Sequence, residues 1–179
     1  MNPVEQSLTQ YAAYHRDRRN IATHFVGVPM IVFAIILALA TLAFPFAGIT
    51  LTAATVVAVL MSGYYLMLDR VLGVAMAIAL FLLCAAASEV SARFSTGGTL
   101  GIAFVVFTVG WAIQFLGHKY EGMKPAFFDD ARQLLIGPLF VCAEAFFLLG
   151  GRPALRRYIE QRVGPTLARR DGAPLTPAT

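Results

Sequence analysis

Residues 14–24 read Tyr-His-Arg-Asp-Arg-Arg-Asn-Ile-Ala-Thr-His, and the chain then runs without a break into the apolar stretch Phe25-Val-Gly-Val-Pro-Met-Ile-Val-Phe-Ala up to Phe44. A charged, histidine-bearing segment thus leads straight into about 20 apolar residues, the length a helix needs to cross a bilayer. Pro29 is expected in the first turn or two of that helix, where a proline is best tolerated. Similar runs recur at about Leu51–Leu68, Val71–Ser91, Thr99–Leu116 and Leu134–Leu149. Between Phe25 and Leu116 only Asp69, Arg70, Glu89 and Arg93 are charged. Phe44–Gly48 and Ser95–Gly98 read as turns. None of the runs alternates with period two, so a β-barrel is excluded in favour of helices.

The whole composition agrees. Of 179 residues, 58% are hydrophobic and 13% charged, against about 25% charged in an ordinary soluble domain. Those proportions argue against a nucleic-acid binder, a disordered chain and a secreted disulfide scaffold. Cys84 and Cys142 lie in apolar runs and offer no disulfide framework. A polar start of 24 residues, followed by too long an apolar run, is not a cleavable signal. The expected fold is an all-α integral membrane bundle of four to five apolar helices. Residues 1–150 form one membrane-embedded domain. A basic amphipathic helix at Pro153–Val163 and a disordered tail occupy 151–179.

Charge sets the topology. Residues 1–24 carry +1, residues 25–150 carry −1 and residues 151–179 carry +4. With the N-terminal arginines on the cytoplasmic side, a fifth full crossing would carry the arginine-rich tail to the wrong side. The fifth segment, which holds Pro138, is therefore expected to be a short, bent element that enters without crossing.

Three histidines are the candidates for chemistry: His15, His24 and His118. On one continuous helix, residues nine apart are rotated by about 900° and face opposite ways. His15 and His24 meet only if the helix breaks between them, and Asn20 is the expected N-cap of a helix beginning at Ile21. After the fourth run, Trp111, Gln114, His118 and Glu121 share one helical face. Glu144 is an acid inside an apolar run, which costs on the order of 3 kcal/mol unless it is paired, protonated or bound to a cation. Histidines with one or two carboxylates at a membrane edge suit Fe(II), Zn(II) or Mn(II). Plainer roles remain open beside that one. A histidine at an interface can be an anchor, and Glu144 a protonated hydrogen-bonding acid. Glu89 and Arg93 fit an ion pair, Trp111, Tyr120 and Tyr158 an aromatic belt, and Asp129-Asp130 a solvated helix start. Gly110 and Gly117 allow close helix packing.

Tyr14-His15, Asn20, His24, Gly27-Val28-Pro29, Gly110-Trp111, Gln114-Phe115, Gly117-His118, Glu121, Pro125-Ala126, Pro138 and Glu144 form an ordered set. That set resembles the fungal-type 2-hydroxy fatty acid dioxygenase family over about residues 8–150. The resemblance implies an Fe(II) enzyme that uses O2 to shorten a 2-hydroxy fatty acid by one carbon, releasing CO2. It implies His15, His24 and His118 as metal ligands and Glu121, Glu144 and Gln114 as catalytic groups. Tyr14, Arg16, Arg19, Asn20 and Lys119, at the same membrane edge, become the expected substrate contacts, with Arg18 helping to steer the carboxylate. Arg16 is a departure, since fungal members often carry a second histidine there. The alternatives are a zinc-dependent membrane lipid hydrolase and a non-catalytic ion or proton carrier built on Glu144 and the histidines. The expected partners are the lipid bilayer and the fatty acid, not nucleic acid, and the glycine-rich faces allow a homodimer. A bacterial inner membrane is the expected location, or the endoplasmic reticulum in a eukaryote.

Overall fold

The computed structural model describes residues 2–46 and 48–167, so the tail expected to be disordered lies outside the described residues. A short helix, α1 (Pro3–Ala12), opens the chain. Asn2 accepts from the Val4 N–H while Glu5 reaches back to the Asn2 N–H, a capping box with proline at the first helical position. The chain then turns, and α2 runs from Arg18 to Ala40. Its N-cap is Asp17, whose carboxylate accepts from the Arg19 N–H at 2.8 Å. The break expected between His15 and His24 is present, but it falls at residues 13–17 and not at Asn20. Asn20 is already helical, and its amide reaches sideways to another helix. Pro29 consequently lies well inside α2, not in its first turns.

A hairpin follows, β1 (Ala43–Phe46) antiparallel to β2 (Ile49–Thr52), with Phe44 opposite Leu51. Of the turn expected at 44–48, residues 44–46 are strand, paired with β2, and Gly48 lies in the connection. Thr52 caps α3 (Ala53–Leu68), and Asp69 both ends α3 and caps α4 (Arg70–Arg93). Glu89 and Arg93 form the expected ion pair at 3.5 Å, exposed near the end of α4. Helix α5 (Thr96–Glu121) starts on a Ser95 cap and stops at Gly122, which takes the left-handed conformation at φ 71°. A 3-10 turn at Ala126–Phe128 leads to α6 (Gln133–Leu148). Helix α7 (Pro153–Val163) matches the expected basic helix in its bounds.

The result is an all-α membrane helical bundle. By length and apolar composition α2, α4 and α5 can each cross a bilayer. Helices α3 and α6 have 16 residues each, or about 24 Å at 1.5 Å per residue, short of a hydrocarbon core of about 30 Å. Helix α7 leaves α6 at 113°. Gly150 has φ 77° and Arg152 φ 54° at that corner, and Arg152 is pinned there by an ion pair to Asp69. The fifth apolar segment is thus short, but Pro138 lies inside one continuous helix and the sharp bend falls after it, at Gly150–Arg152.

The tightest seam joins α2 to α5. A Cβ on Gly27 would stand 2.9 Å from the Gly110 carbonyl oxygen. One on Gly117 would stand 2.0 Å from Thr23 Oγ1 and 2.6 Å from Asn20 Oδ1. The close packing expected of Gly110 and Gly117 is real. It draws the end of α5 onto the start of α2, where the histidines lie.

Candidate metal centre

The turn at 13–17 lifts His15 off the end of α1, α2 presents His24, and the last turn of α5 presents His118. Each of the three is buried, and one nitrogen from each lies within 4.8 Å of the other two. Ring centroids are 4.4, 5.0 and 5.2 Å apart in the three pairs. Tyr11, one turn before His15, stacks on it at 4.2 Å with planes 3° apart. Sequence reasoning missed Tyr11, although the Asn2-Pro3 and Glu5 capping pattern was a legible sign of the helix that positions it.

Hydrogen bonding fixes the tautomers. His15 Nδ1 is 2.7 Å from the Tyr11 carbonyl oxygen, and His24 Nδ1 is 2.8 Å from that of Asn20. Carbonyls only accept, so both Nδ1 atoms carry hydrogen and both neutral rings keep a bare lone pair on Nε2. Those two Nε2 atoms are 3.0 Å apart. Burial, followed by the neighbouring His24, holds His15 well below the usual imidazole range, which disfavours a proton shared between the rings. Two facing lone pairs repel unless a cation sits between them. His118 Nδ1 is also buried without a hydrogen-bond partner. The donor set therefore fits a transition-metal ion, and the carbonyls behind His15 and His24 are the usual support of histidine ligands.

The carboxylates lie elsewhere. Glu121 is almost fully buried, accepting from the Arg16 N–H with both oxygens at 3.1 Å, from the Asp17 N–H at 2.8 Å and from Asn20 Nδ2 at 3.1 Å. It braces the turn that carries His15. Glu144 faces Arg16 at 3.9 Å in a cavity of about 280 Å³ between α2, α6 and α7, also lined by Arg18, Arg156 and Glu160. Neither acid joins the imidazole group.

A larger cavity, about 390 Å³, opens onto His24 and His118. Its walls are mainly apolar, from Val28, Ile31, Phe107, Trp111, Phe127 and Pro138, with Gln114 one turn before His118. Gln114, one of the expected catalytic groups, thus lines the cavity. Gln133, which sequence reasoning passed over, also lines it and is buried. The expected substrate contacts are not among its lining residues. Arg16 donates through Nε to the Ala12 and His15 carbonyls and through Nη1 to that of Gly164. Arg19 pairs with Asp17 at 2.9 Å and lies over the Tyr120 ring. Asn20 is held by Glu121, Tyr14 donates to Asp129 at 2.9 Å, and Lys119 is exposed. Each of these groups except Lys119 is engaged in holding the turn or its surroundings together, which is why the cavity does not receive them.

Comparison with known proteins shows the family. A family model described as 2-hydroxy-palmitic acid dioxygenase Mpo1-like matches residues 1–149. The chain is 33% identical over 159 residues to a protein of Saccharomyces cerevisiae (strain ATCC 204508 / S288c) named 2-hydroxy-palmitic acid dioxygenase MPO1. That match covers 88% of this chain and 87% of the yeast protein. The relative is eukaryotic and lends nothing to the expected bacterial inner membrane. No solved structure matches.

Proposed function

The chain belongs to the Mpo1-like family, and from that premise we propose that it is an Fe(II)-dependent membrane dioxygenase acting on 2-hydroxy fatty acids. One observation carries the metal-dependent part: three buried imidazoles gathered together, two with bare nitrogens 3.0 Å apart, with His24 and His118 lining an apolar cavity. No Lys or Arg lines that cavity among the described residues. An anionic head group placed there finds its counter-charge in a metal cation on the histidines, not in a protein side chain. The volume lies within the range of about 300–1,000 Å³ usual for small-molecule pockets. Ile35, Phe107, Leu134 and Leu135 line the cavity and are exposed, an apolar mouth that suits entry from lipid. An acyl tail can enter from the bilayer without passing through water.

The balanced reaction is R-CH(OH)-COOH + O2 → R-COOH + CO2 + H2O. The hydroxy acid supplies all four electrons that reduce O2, so no organic co-reductant is required. A ferrous ion held by His15, His24 and His118 would supply the one-electron chemistry that O2 needs and the charge that seats the substrate's carboxylate. The protein's part is placement. Tyr11 packs the His15 ring, the Tyr11 and Asn20 carbonyls orient two ligands, and Trp111 and Phe127 hold apolar surface over the reacting end while excluding water. The carrier alternative needs Glu144 and the histidines on one path, whereas Glu144 faces Arg16 in the other cavity.

The test is the metal content of detergent-purified protein beside His24→Ala and His118→Ala, followed by 2-hydroxypalmitate under oxygen. About one iron per chain, lost in both variants, with release of pentadecanoic acid and CO2, is the expected result. Zinc with anaerobic turnover of an ester would replace dioxygenation by hydrolysis. No metal after anaerobic Fe(II) loading would overturn the reading.

A further inference from the structure

The polypeptide after α7 is not covered by the family match, which ends at residue 149, yet it touches the turn that carries His15. Leu167 pairs with that turn as a short parallel strand would. Its N–H donates to the Arg16 carbonyl at 2.9 Å, and its carbonyl accepts from the Arg18 N–H at 3.0 Å. Three residues earlier, the Gly164 carbonyl accepts from Arg16 Nη1 at 3.0 Å. The same guanidinium donates through Nε to the His15 and Ala12 carbonyls. From the other side, Glu121 takes the Arg16 and Asp17 N–H groups. Residues 15–18 are therefore held on one side by a carboxylate of α5 and on the other by the segment 164–167, with the Arg16 side chain as the link.

We propose that Arg16 and the strap at residues 164–167 are positioning elements for His15, setting how tightly the centre holds its metal. The proposal rests on the metal-dependent reading of the histidine cluster. A ligand borne on a turn and not on a helix has no neighbouring backbone ladder to fix it, so its placement depends on what binds the turn. Arg16 supplies that from the residue next to the ligand. Its fork of donors joins the end of α1, the ligand's own carbonyl and the strap in one planar group. A lysine there has the charge but not the fork.

The strap can be disturbed without touching the bundle. Gly164 has φ 81° and ψ 166°, a conformation reserved for glycine, and a Cβ there would meet no atom within 4 Å. Gly164→Ala therefore acts by redirecting the backbone, not by a clash. The experiment is anaerobic Fe(II) titration of full-length wild type, Arg16→Lys, Gly164→Ala and the double variant, with thermal melting of each metal-free protein. Supporting contacts to metal ligands are worth about 10- to 100-fold in affinity, so each single variant is expected to weaken Fe(II) binding by that factor. The metal-free Gly164→Ala protein is expected to melt somewhat below wild type, from the strain at Gly164 and the lost strap contacts, but still in one folded transition. The double variant is expected to lose no more than the weaker-binding single variant, because both break one linkage. Wild-type affinity in Gly164→Ala, or losses that multiply in the double variant, would overturn the proposal. A wild type that binds no Fe(II) would instead overturn the metal-dependent reading beneath it.

Discussion

At the end built from residues 11–24, 114–121 and 133, polar groups point inward. His15, Asp17, Asn20, His24, Gln114, His118, Glu121 and Gln133 are all buried there. Across α3, α4 and the first half of α5 the order is reversed. Leu60, Phe81 and Phe104 are 67%, 71% and 71% exposed, and the surface they offer suits lipid. The first region is held by directional bonds that tolerate little change. The second is held by burial shared between helix and bilayer, where one apolar side chain substitutes readily for another. The ends should answer the same kind of mutation very differently.

The largest effect is expected at Glu121. Its carboxylate is the acceptor for two backbone N–H groups and the Asn20 amide inside the protein. Glu121→Ala strands those donors, and a buried donor left unpaired costs about 1–3 kcal/mol. The total should reach about 3 kcal/mol or more, read as denaturant or thermal unfolding in detergent, with loss of the proposed metal. Leu60→Ala, on the outward surface of α3, should stay within about 0.5 kcal/mol of wild type. Equal losses at the two positions would erase the distinction.

Glycine substitutions sharpen it further. At Gly117 a methyl group would overlap Thr23 Oγ1, with Asn20 pressed beside it. Gly117→Ala should destabilise by about 1–3 kcal/mol, as overpacking does, and should displace His118, the next residue. At Gly63 in α3 nothing lies within 4 Å of the added carbon. Gly63→Ala should stabilise by about 0.5–1 kcal/mol through helix propensity and the unfolded chain. The signs are opposite, so paired melting curves decide the matter without reference to absolute scales.

The same division explains what the sequence reveals. The outward regions are legible, because lipid-facing side chains leave their pattern in the hydropathy; α4 appears with nearly its observed bounds. The start of α2 is not, because Asn20 and His24 are polar residues pointing inward, and polarity in a sequence does not say in which direction it points. The convergence of His15 and His24 is readable as a condition, a break between them, but the residue that makes the break is not. Asp17 and Asn20 are both good caps, and only the partner in α5 decides between them. Glu121 reads as a candidate for chemistry because its acceptors' partners are backbone N–H groups more than a hundred residues away, which no side-chain pattern marks. Likewise Arg19 and Lys119 read as substrate contacts from charge alone, whereas the cavity lies on another face.

A smaller effect tests how far the ordered polar region reaches. Tyr14 leaves the histidine turn outward and donates to Asp129, which also accepts from Lys124 at 2.5 Å. This link joins the turn to the loop between α5 and α6, and it stands in water. Hydrogen bonds from Lys124 and then Tyr14 hold the Asp129 carboxyl below the usual carboxylate range. A group whose folded value is lowered stabilises the fold above its unfolded value, and that contribution is lost as pH falls through the folded one. Tyr14→Phe should therefore leave melting at pH 7 close to wild type, because exposed links of this kind are heavily screened. It should also flatten the part of the acid-side loss of stability that Asp129 contributes. Binding of the proposed metal should not change, since neither the Tyr11 and Asn20 carbonyls nor the Glu121 brace involves the Tyr14 hydroxyl. If Tyr14→Phe releases that metal, the rigid region extends to the surface loop, and the boundary between the two kinds of structure lies further out than burial alone places it.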